Sequence, residues 1–302
     1  MDSSTSCFPA RLTPGGTPVH YGDPGLLGIA RWGVWSRPCG MRILCFLVFA
    51  VIGTGIGWAQ SPLPRAHSHN DYEHARPLFD ALDQGFCGVE ADIWRVGDQL
   101  LVAHERSQVR AGRTLESLYL APLAERARTN KGAIHSGSPE FTLLVDVKTD
   151  PEGSYALLAP LLERYRGILT RFTHTNRTSG AVTVILSGSR PIEQVKAQSV
   201  RWCAIDGRLP DLEANPSPYL VPLVSDSWRP TFPVQIDAPL NASDRERLRS
   251  LVRKAHDQGR RIRFWGARDN PVVWREQFDA GVDLINTDKL EGLRGFLFQQ
   301  PR

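Results

Sequence analysis

The seven residues GVEADIW at positions 88–94 form the clearest strand pattern in the chain and carry its most informative polar pair. Glu90 and Asp92 alternate in this stretch with the apolar residues Val89, Ala91 and Ile93. Because successive side chains of a strand point to opposite faces, the two carboxylates share one face. Two negative charges inside an otherwise apolar strand destabilise the fold unless a positive group compensates them. We therefore predict that this face carries functional residues.

Similar apolar or β-branched segments recur along the chain and alternate with helical patterns. The predicted strands are 65–69, 88–94, 141–148, 181–187, 202–206, 220–225, 261–265 and 282–286, with a short extra strand at 100–104. Helices are predicted at 76–84, 155–165, 244–257 and 272–278, the third opening with a capping box at Ser243. This α/β alternation predicts a single (β/α)8 TIM-type barrel. An open doubly wound sheet is the alternative, disfavoured because no glycine-rich phosphate turn follows the first strand.

The N-terminal part of the chain differs in composition from the rest. Residues 43–59 read ILCFLVFAVIGTGIGWA, follow Met41-Arg42 and end with small residues at Gly57 and Ala59. This pattern predicts a signal peptide at 41–59, cleaved after Ala59, so that the mature protein is secreted or periplasmic. The alternative is an uncleaved membrane anchor at 43–59. The predicted organisation is a non-native or disordered extension at 1–40, the signal peptide at 41–59 and the barrel domain at 60–302.

Charge and hydropathy limit the classes of partner. The 302 residues include 36 Lys and Arg against 32 Asp and Glu, a formal net charge of +4. The basic residues are scattered, which argues against a nucleic-acid partner. Beyond residues 43–59 we expect no stable membrane span in the mature chain, and no pattern indicates an oligomeric state.

Polar residues at the predicted strand ends are the candidates for function, because the C-terminal ends of barrel strands converge on one opening. Asp146 and Lys148 end the third strand and share a face. Glu90, Asp92 and Asp146 can therefore converge, and their mutual repulsion would need a cation. Carboxylate oxygens favour one divalent cation, Mg²⁺ or Ca²⁺. Lys148 would offset part of the charge and attract an anionic substrate.

Histidines and one tryptophan complete the candidate site. His67 and His69 end the first strand, and His104 ends the short extra strand. Two imidazoles at one opening supply an acid and a base with intrinsic pKa values near 6.5. Trp265 ends the seventh strand, where it either stacks on a substrate or packs against the barrel. The histidines outside the strand ends, His74, His135, His174 and His256, are predicted to lie on the surface.

Three motifs resemble those of a known superfamily. They are HSHNDY at 67–72, RTLESLY at 113–119 and NTD at 286–288. With the Glu-x-Asp, histidine and acid-x-Lys elements in order, the chain resembles the phospholipase-C-like phosphodiesterase superfamily, which includes glycerophosphodiester phosphodiesterases and phosphatidylinositol-specific phospholipases C. Within it, the chain is most similar to the altered-inheritance-of-mitochondria proteins. The resemblance implies a barrel with one divalent metal and two catalytic histidines acting on a phosphodiester.

The resemblance also implies roles for individual residues. The Ser-His-Asn-x-Tyr pattern at 68–72 is similar to that of eukaryotic phosphatidylinositol phospholipases, which implies that His69 is catalytic and Asn70 a metal ligand. Glu90 and Asp92 match the Glu-x-Asp metal pair, His104 the second catalytic histidine, and Asp146 with Lys148 the acid-x-Lys element. The chain lacks the His-Arg-Gly of glycerophosphodiesterases, and a His-x-x-Asn spacing makes His67 the alternative catalytic histidine.

These observations predict a metal-dependent phosphoric diester hydrolase acting on a glycerophosphodiester or a phospholipid headgroup. Two other functions stay open. His67-x-His69 also suits an amidohydrolase or a polymerase-and-histidinol-phosphatase type of metal hydrolase, which would need further histidines at later strand ends. A barrel can also bind phospholipid headgroups or a partner without turnover.

Overall fold

Parallel strands surrounded by helices make up the described part of the chain. A computed structural model describes residues 61–137, 140–232 and 238–301. The signal peptide expected at 41–59 and the extension expected at 1–40 lie outside the described residues, and both stay predictions.

The described strands and helices have the following bounds. The strands are β1 Leu63–Ser68, β2 Phe86–Val96, β3 Gln99–Val102, β4 Phe141–Val147, β5 Arg171–Phe172, β6 Arg177–Thr178, β7 Val182–Gly188, β8 Ala204–Gly207, β9 Leu223–Ser227, β10 Arg261–Trp265 and β11 Ile285–Thr287. The α-helices are α1 Phe79–Asp83, α2 Ala121–Thr129, α3 Pro151–Arg164, α4 Ile192–Ala197, α5 Asp211–Ala214, α6 Trp228–Thr231, α7 Ala242–Asp257, α8 Pro271–Ala280 and α9 Leu290–Phe298.

Eight of these strands form a nearly closed parallel barrel. Their order is β10-β9-β8-β7-β4-β2-β1-β11, and β3 adds to β2 in antiparallel orientation. The ring closes through a single parallel bridge between Arg263 and Leu284, where Asp283 N donates to Ile262 O at 3.1 Å. Each of the eight predicted barrel strands overlaps an observed strand, although the prediction at 282–286 shares only its last two residues with β11, so the nearly closed eight-stranded barrel is confirmed.

The twofold period of the strands separates two apolar layers. Side chains that point into the barrel, together with Phe172 of β5, form a small apolar cluster; the barrel residues are Leu144, Ile185, Ala204, Leu223 and Leu284. Side chains that point outward, such as Val89 and Val145, pack against the helices in the larger core. One step further toward the strand ends, the inward positions on β4 and β7 become polar, at Asp146 and Ser187. The barrel is therefore filled by apolar residues in its middle and polar at its C-terminal mouth.

The helical layer departs from the sequence-based expectation at two points. Between β8 and β9 the only described helix is the four-residue α5, so this strand-helix unit is abbreviated. Helix α7 begins at Ala242 rather than Asp244, and its N-cap is Asn241, whose side chain accepts from Asp244 N at 2.8 Å. The prediction of a capping box that begins at Ser243 was therefore wrong, because Ser243 already lies inside the first helical turn. None of the described helices is long and apolar enough to cross a bilayer.

The position of this cap gives a direct test of the helix boundary. Replacing Asn241 by Ala removes the acceptor for Asp244 N and should lower the free energy of unfolding by about 1 kcal/mol. Ser243→Ala, the matched control two residues on, should change it by less than half as much. Urea unfolding followed by tryptophan fluorescence measures both values. A larger loss for Ser243→Ala than for Asn241→Ala would contradict the observed cap.

Candidate functional site

Three carboxylates meet at the C-terminal mouth of the barrel. Asp92 on β2 and Asp146 on β4 are direct partners in the parallel register, and Glu90 lies two residues before Asp92 on the same face. One oxygen from each of the three lies within 4.8 Å of the others. Glu90 and Asp92 are buried and Asp146 is partly buried. The structure thus brings together the three carboxylates that the alternating pattern placed on one face.

Glu90 is paired with a buried arginine from the opposite side of the barrel. Arg263 on β10 donates from Nη2 to Glu90 Oε2 and from Nε to Asn286 Oδ1, the latter at 2.8 Å. Burial alone would raise the pKa of Glu90, but the guanidinium of Arg263 and the imidazoles of His67 and His69 together outweigh it and hold this pKa below its usual range. The sequence analysis missed Arg263, although its position two residues before Trp265 puts both side chains on one face of β10.

Asp92 is held by two donors. Lys148 Nζ lies 2.9 Å from Asp92 Oδ2 and 3.0 Å from Asp146 Oδ1, and Tyr72 donates its hydroxyl to Asp92 Oδ2 at 2.7 Å. Burial and the nearby charge of Glu90 nevertheless raise the pKa of Asp92 to about 6. The second oxygen, Asp92 Oδ1, is buried and has no hydrogen-bond partner among the described residues.

The Tyr72 hydroxyl also orients His104. His104 Nδ1 lies 3.1 Å from the hydroxyl oxygen and 3.4 Å from Asp92 Oδ2. The Tyr72 hydroxyl has one proton to donate, and its shortest contact is with the Asp92 carboxylate. The hydroxyl can therefore accept from His104 Nδ1–H, a tautomer that leaves Nε2 as the proton acceptor. The side chain of His104 is 43% exposed, so solvent and ligands can reach it.

His69 forms a second imidazole–carboxylate pair. His69 N donates to Thr287 O at 3.0 Å, which holds the residue at the end of β1 beside β11. Its Nδ1 lies 2.9 Å from Asp288 Oδ1. Burial alone would lower the pKa of His69, but the bond to Asp288 and the charge of Glu90 together raise it. Asp288 belongs to the NTD motif noted in the sequence, where no individual role had been assigned to it.

His67 occupies a different environment from His69. It is fully buried, and both of its ring nitrogens lack a hydrogen-bond partner within the described part of the chain. Its Nε2 lies 3.7 Å from Glu90 Oε2, and burial lowers the pKa of His67 to about 4. A Cβ at the neighbouring Gly88 would lie only 2.7 Å from His67 Nδ1, so glycine leaves the space that this imidazole fills.

Residues of the RTLESLY motif form hydrogen bonds with the loop that follows β1. Arg113 Nη2 donates to Tyr72 O at 2.7 Å, and the hydroxyl of Tyr119 donates to Asp71 Oδ2 at 3.0 Å. Asp71 and Tyr119 are both buried. The second motif therefore fixes the backbone of the first, which carries His69 and Tyr72 to the mouth.

The remaining predicted site residues lie at the same end of the barrel. Asn70 adopts a left-handed conformation with φ 46°, and its Oδ1 is 2.9 Å from the Tyr72 hydroxyl. Trp265 ends β10 on the same face as Arg263 and is 41% exposed. This exposure leaves one side of the indole open for contact with a ligand.

The carboxylate trio suits a divalent cation by charge and by donor type. Three carboxylates face two cations, Arg263 and Lys148, which leaves one negative charge in a partly desolvated mouth. Asp92 Oδ1 is an unpartnered oxygen among the described groups. Two ligands of one Ca²⁺ ion lie at most about 5 Å apart, in line with the observed 4.8 Å limit. The residues present therefore fit Mg²⁺ or Ca²⁺.

The other histidines that the structure describes do not join this site. His135, predicted on the surface, is buried, and its Nε2 lies 2.8 Å from Phe86 O at the opposite end of β2. That prediction was wrong because the loop after α2 folds back under the barrel. The inward positions near the ends of β8 and β9 carry Asp206 and Ser225, so the later histidines that an amidohydrolase-type site needs are not found there.

Comparison with known proteins agrees with this geometry. The AIM6-like phosphodiesterase domain matches residues 60–204, and the glycerophosphoryl diester phosphodiesterase family matches residues 261–291. The chain is 30% identical over 265 residues to an altered inheritance of mitochondria protein 6 homolog from Arthroderma benhamiae, covering 78% of this chain and 84% of the relative. It is 32% identical over 270 residues to altered inheritance of mitochondria protein 6 from Eremothecium gossypii, covering 78% and 69%.

One solved structure supports the barrel. A calcium-dependent phosphoinositol-specific phospholipase C from a Pseudomonas species superposes with a TM-score of 0.51 at 16% identity, covering 77% of this chain and 92% of that one. At this identity the match speaks for the fold alone. The two relatives and the family models above confirm the resemblance of the motifs: the chain belongs to the altered inheritance of mitochondria protein 6 family, within the phospholipase-C-like phosphodiesterase superfamily.

Proposed function

We propose that the protein is a metal-dependent phosphoric diester hydrolase in which His69 and His104 act as general acid and base. The observation that carries this proposal is the meeting of three carboxylates with two accessible imidazoles and Lys148 at one mouth. The family matches favour this function over an amidohydrolase-type metal hydrolase, and the lack of later strand-end histidines agrees with them.

Glu90, Asp92 and Asp146, with Asn70 beside them, are the residues that would hold the cation. A bound divalent ion supplies Lewis-acid polarisation of a phosphoryl oxygen. Lys148 contributes a second positive charge next to Asp92 and Asp146. Its ammonium attracts the anionic diester and stabilises the charge that develops on the nonbridging oxygens.

The two histidines move protons on the attacking and departing oxygens. Asp288 holds the imidazole of His69 through Nδ1, which leaves Nε2 for the substrate. The Tyr72 hydroxyl holds His104 in the same way through its Nδ1. One imidazole takes a proton from water or from a neighbouring substrate hydroxyl, and the other gives a proton to the alkoxide that leaves. Attack by a substrate hydroxyl would yield a cyclic phosphate.

His69, rather than His67, suits the role of first catalytic histidine. His69 is 30% exposed and hydrogen-bonded to a carboxylate, whereas His67 is fully buried. The bond to Asp288 and the charge of Glu90 raise the pKa of His69 above its ordinary value, while burial lowers that of His67 to about 4. An acid-base catalyst needs both access to the substrate and a pKa near the working pH.

We infer that the substrate is a glycerophosphodiester or a phospholipid headgroup and that Trp265 stacks on it at the rim of the barrel mouth. We also infer that the mature protein is secreted or periplasmic.

A screen of glycerophosphodiesters, phosphoinositides, sphingomyelin and bis(p-nitrophenyl) phosphate with added Mg²⁺ or Ca²⁺ should reveal hydrolysis. EDTA should abolish it, and the divalent ion should restore it, because the carboxylates need the cation to act. Product analysis separates cyclic from linear phosphate. Hydrolysis that resists EDTA, or metal binding without turnover of any diester, would contradict the proposal.

Removal of either catalytic imidazole should slow turnover. His69→Ala and His104→Ala should each lower kcat by about 100-fold or more, since each variant loses one proton-transfer group. His256→Ala is the matched control, because His256 pairs with Asp283 outside the site. Steady-state kinetics on the best substrate of the screen measures the effect. A loss confined to a folded His67→Ala variant would instead assign His67 as the catalyst.

The Asp288–His69 pair should set one limb of the pH profile. Because Asp288 helps to raise the pKa of His69, Asp288→Asn lowers that pKa and should move the limb that His69 controls to lower pH by about one unit. The direction is the same whether His69 acts as acid or base. Asp283→Asn, which changes the surface pair with His256, should leave the profile in place. An unshifted profile in Asp288→Asn would separate this pair from the chemistry.

A further inference from the structure

A second cavity lies on the outer flank of the barrel, away from the mouth. It has a volume of about 450 Å³ and lies between helix α4, strand β8 and the segment from α5 to β9. Ile205 lines it. Because neighbouring strand residues face opposite sides, Ile205 points outward while Asp206 points into the barrel. The cavity is therefore separated from the carboxylate trio by the wall of β8, and its size is in the range of small-molecule sites.

One wall of this cavity holds a buried cation that has no counterion in the described part of the chain. Arg201 is 1% exposed, and its Nη2 donates to Tyr219 O at 2.7 Å. Its Nε and Nη1 have no hydrogen-bond partner, and no carboxylate lies within ion-pair distance, among the residues that the structure describes. Phe172 lies 5.9 Å from the guanidinium and offers a ring face but no charge. A buried guanidinium in this state is costly, and a bound anion would relieve the cost.

Other lining residues give the cavity a net positive charge. Arg190 and Lys196 line it together with Arg201, against a single lining carboxylate, Asp211. Asp211 Oδ2 already accepts from Arg208 N at 2.7 Å. Among the described carboxylates, the ammonium of Lys196 pairs with that of the exposed Glu193 alone, at 3.8 Å. The balance of charge in the cavity thus favours an anionic ligand.

The rest of the lining is apolar. Ile192, Ile205, Pro216, Leu220 and Val221 face the cavity, and Ile192 is 37% exposed at its edge. A free inorganic anion would leave this apolar surface exposed to water, whereas an anion with a hydrocarbon body would cover it. We propose that the flank cavity binds an anionic amphiphile, with its phosphate or carboxylate head near Arg201 and Lys196 and its hydrocarbon body along the apolar wall.

Octyl phosphate and octanoate, below their micellar concentrations, test this proposal by isothermal titration calorimetry on the folded protein. Both should bind saturably, whereas octyl glucoside and inorganic phosphate should bind at least about tenfold more weakly, since each lacks one half of the recognised chemistry. Tighter binding of octyl phosphate would point to a lipid phosphate as the natural source, and tighter binding of octanoate to a fatty acid.

Charge-reversal variants locate the binding. Lys196→Glu, at an exposed position on α4, should weaken both ligands by about tenfold or more, and Arg201→Gln should abolish binding if it folds. Arg128→Glu on α2 makes the same charge change at a distant surface and should leave the affinity unchanged. Lys148→Met, which alters the barrel mouth, should also leave it unchanged. No saturable binding to the wild-type protein, or equal affinity in Lys196→Glu, would overturn the proposal.

Discussion

Repulsion among Glu90, Asp92 and Asp146 is the constraint around which the mouth of the barrel is organised. At separations up to 4.8 Å and an effective dielectric constant near 20, each pair of charges repels by at least about 3.5 kcal/mol. The parallel register of β2 and β4 places these residues side by side, so the fold itself imposes the repulsion. Burial first, and then the charge of Glu90, raise the pKa of Asp92, because both disfavour its charged form.

The neighbours of the trio offset this repulsion only in part. Arg263 reaches Glu90 from β10, and Lys148 bridges Asp92 and Asp146. Room for the trio also depends on glycine: Gly188 has φ 67°, and a Cβ there would lie 2.5 Å from Asp146 Oδ1. The three carboxylates, Arg263 and Lys148 together carry a net charge of −1. A bound divalent cation would change the net charge of the mouth to +1. The resulting positive site would match the single negative charge of a phosphodiester.

Sequence periodicity predicted those parts of the structure that depend on neighbouring residues in the chain. The twofold alternation located the eight barrel strands and put Glu90 and Asp92 on one face. It could not predict the Arg263–Glu90 pair, whose members are 173 positions apart and meet only because the barrel closes. The burial of His135 likewise depends on how a loop packs. At helix α7 the sequence pattern predicted the cap at Ser243, whereas the backbone geometry puts it at Asn241.

The central claim is that these three carboxylates hold one divalent cation. A crystal structure of the protein grown with Mn²⁺, read by its anomalous scattering, tests the claim without any assumption about substrate. One strong peak is expected within about 2.5 Å of oxygens from Glu90, Asp92 and Asp146. A mouth without a peak at saturating Mn²⁺, with Lys148 still bridging Asp92 and Asp146, would contradict it.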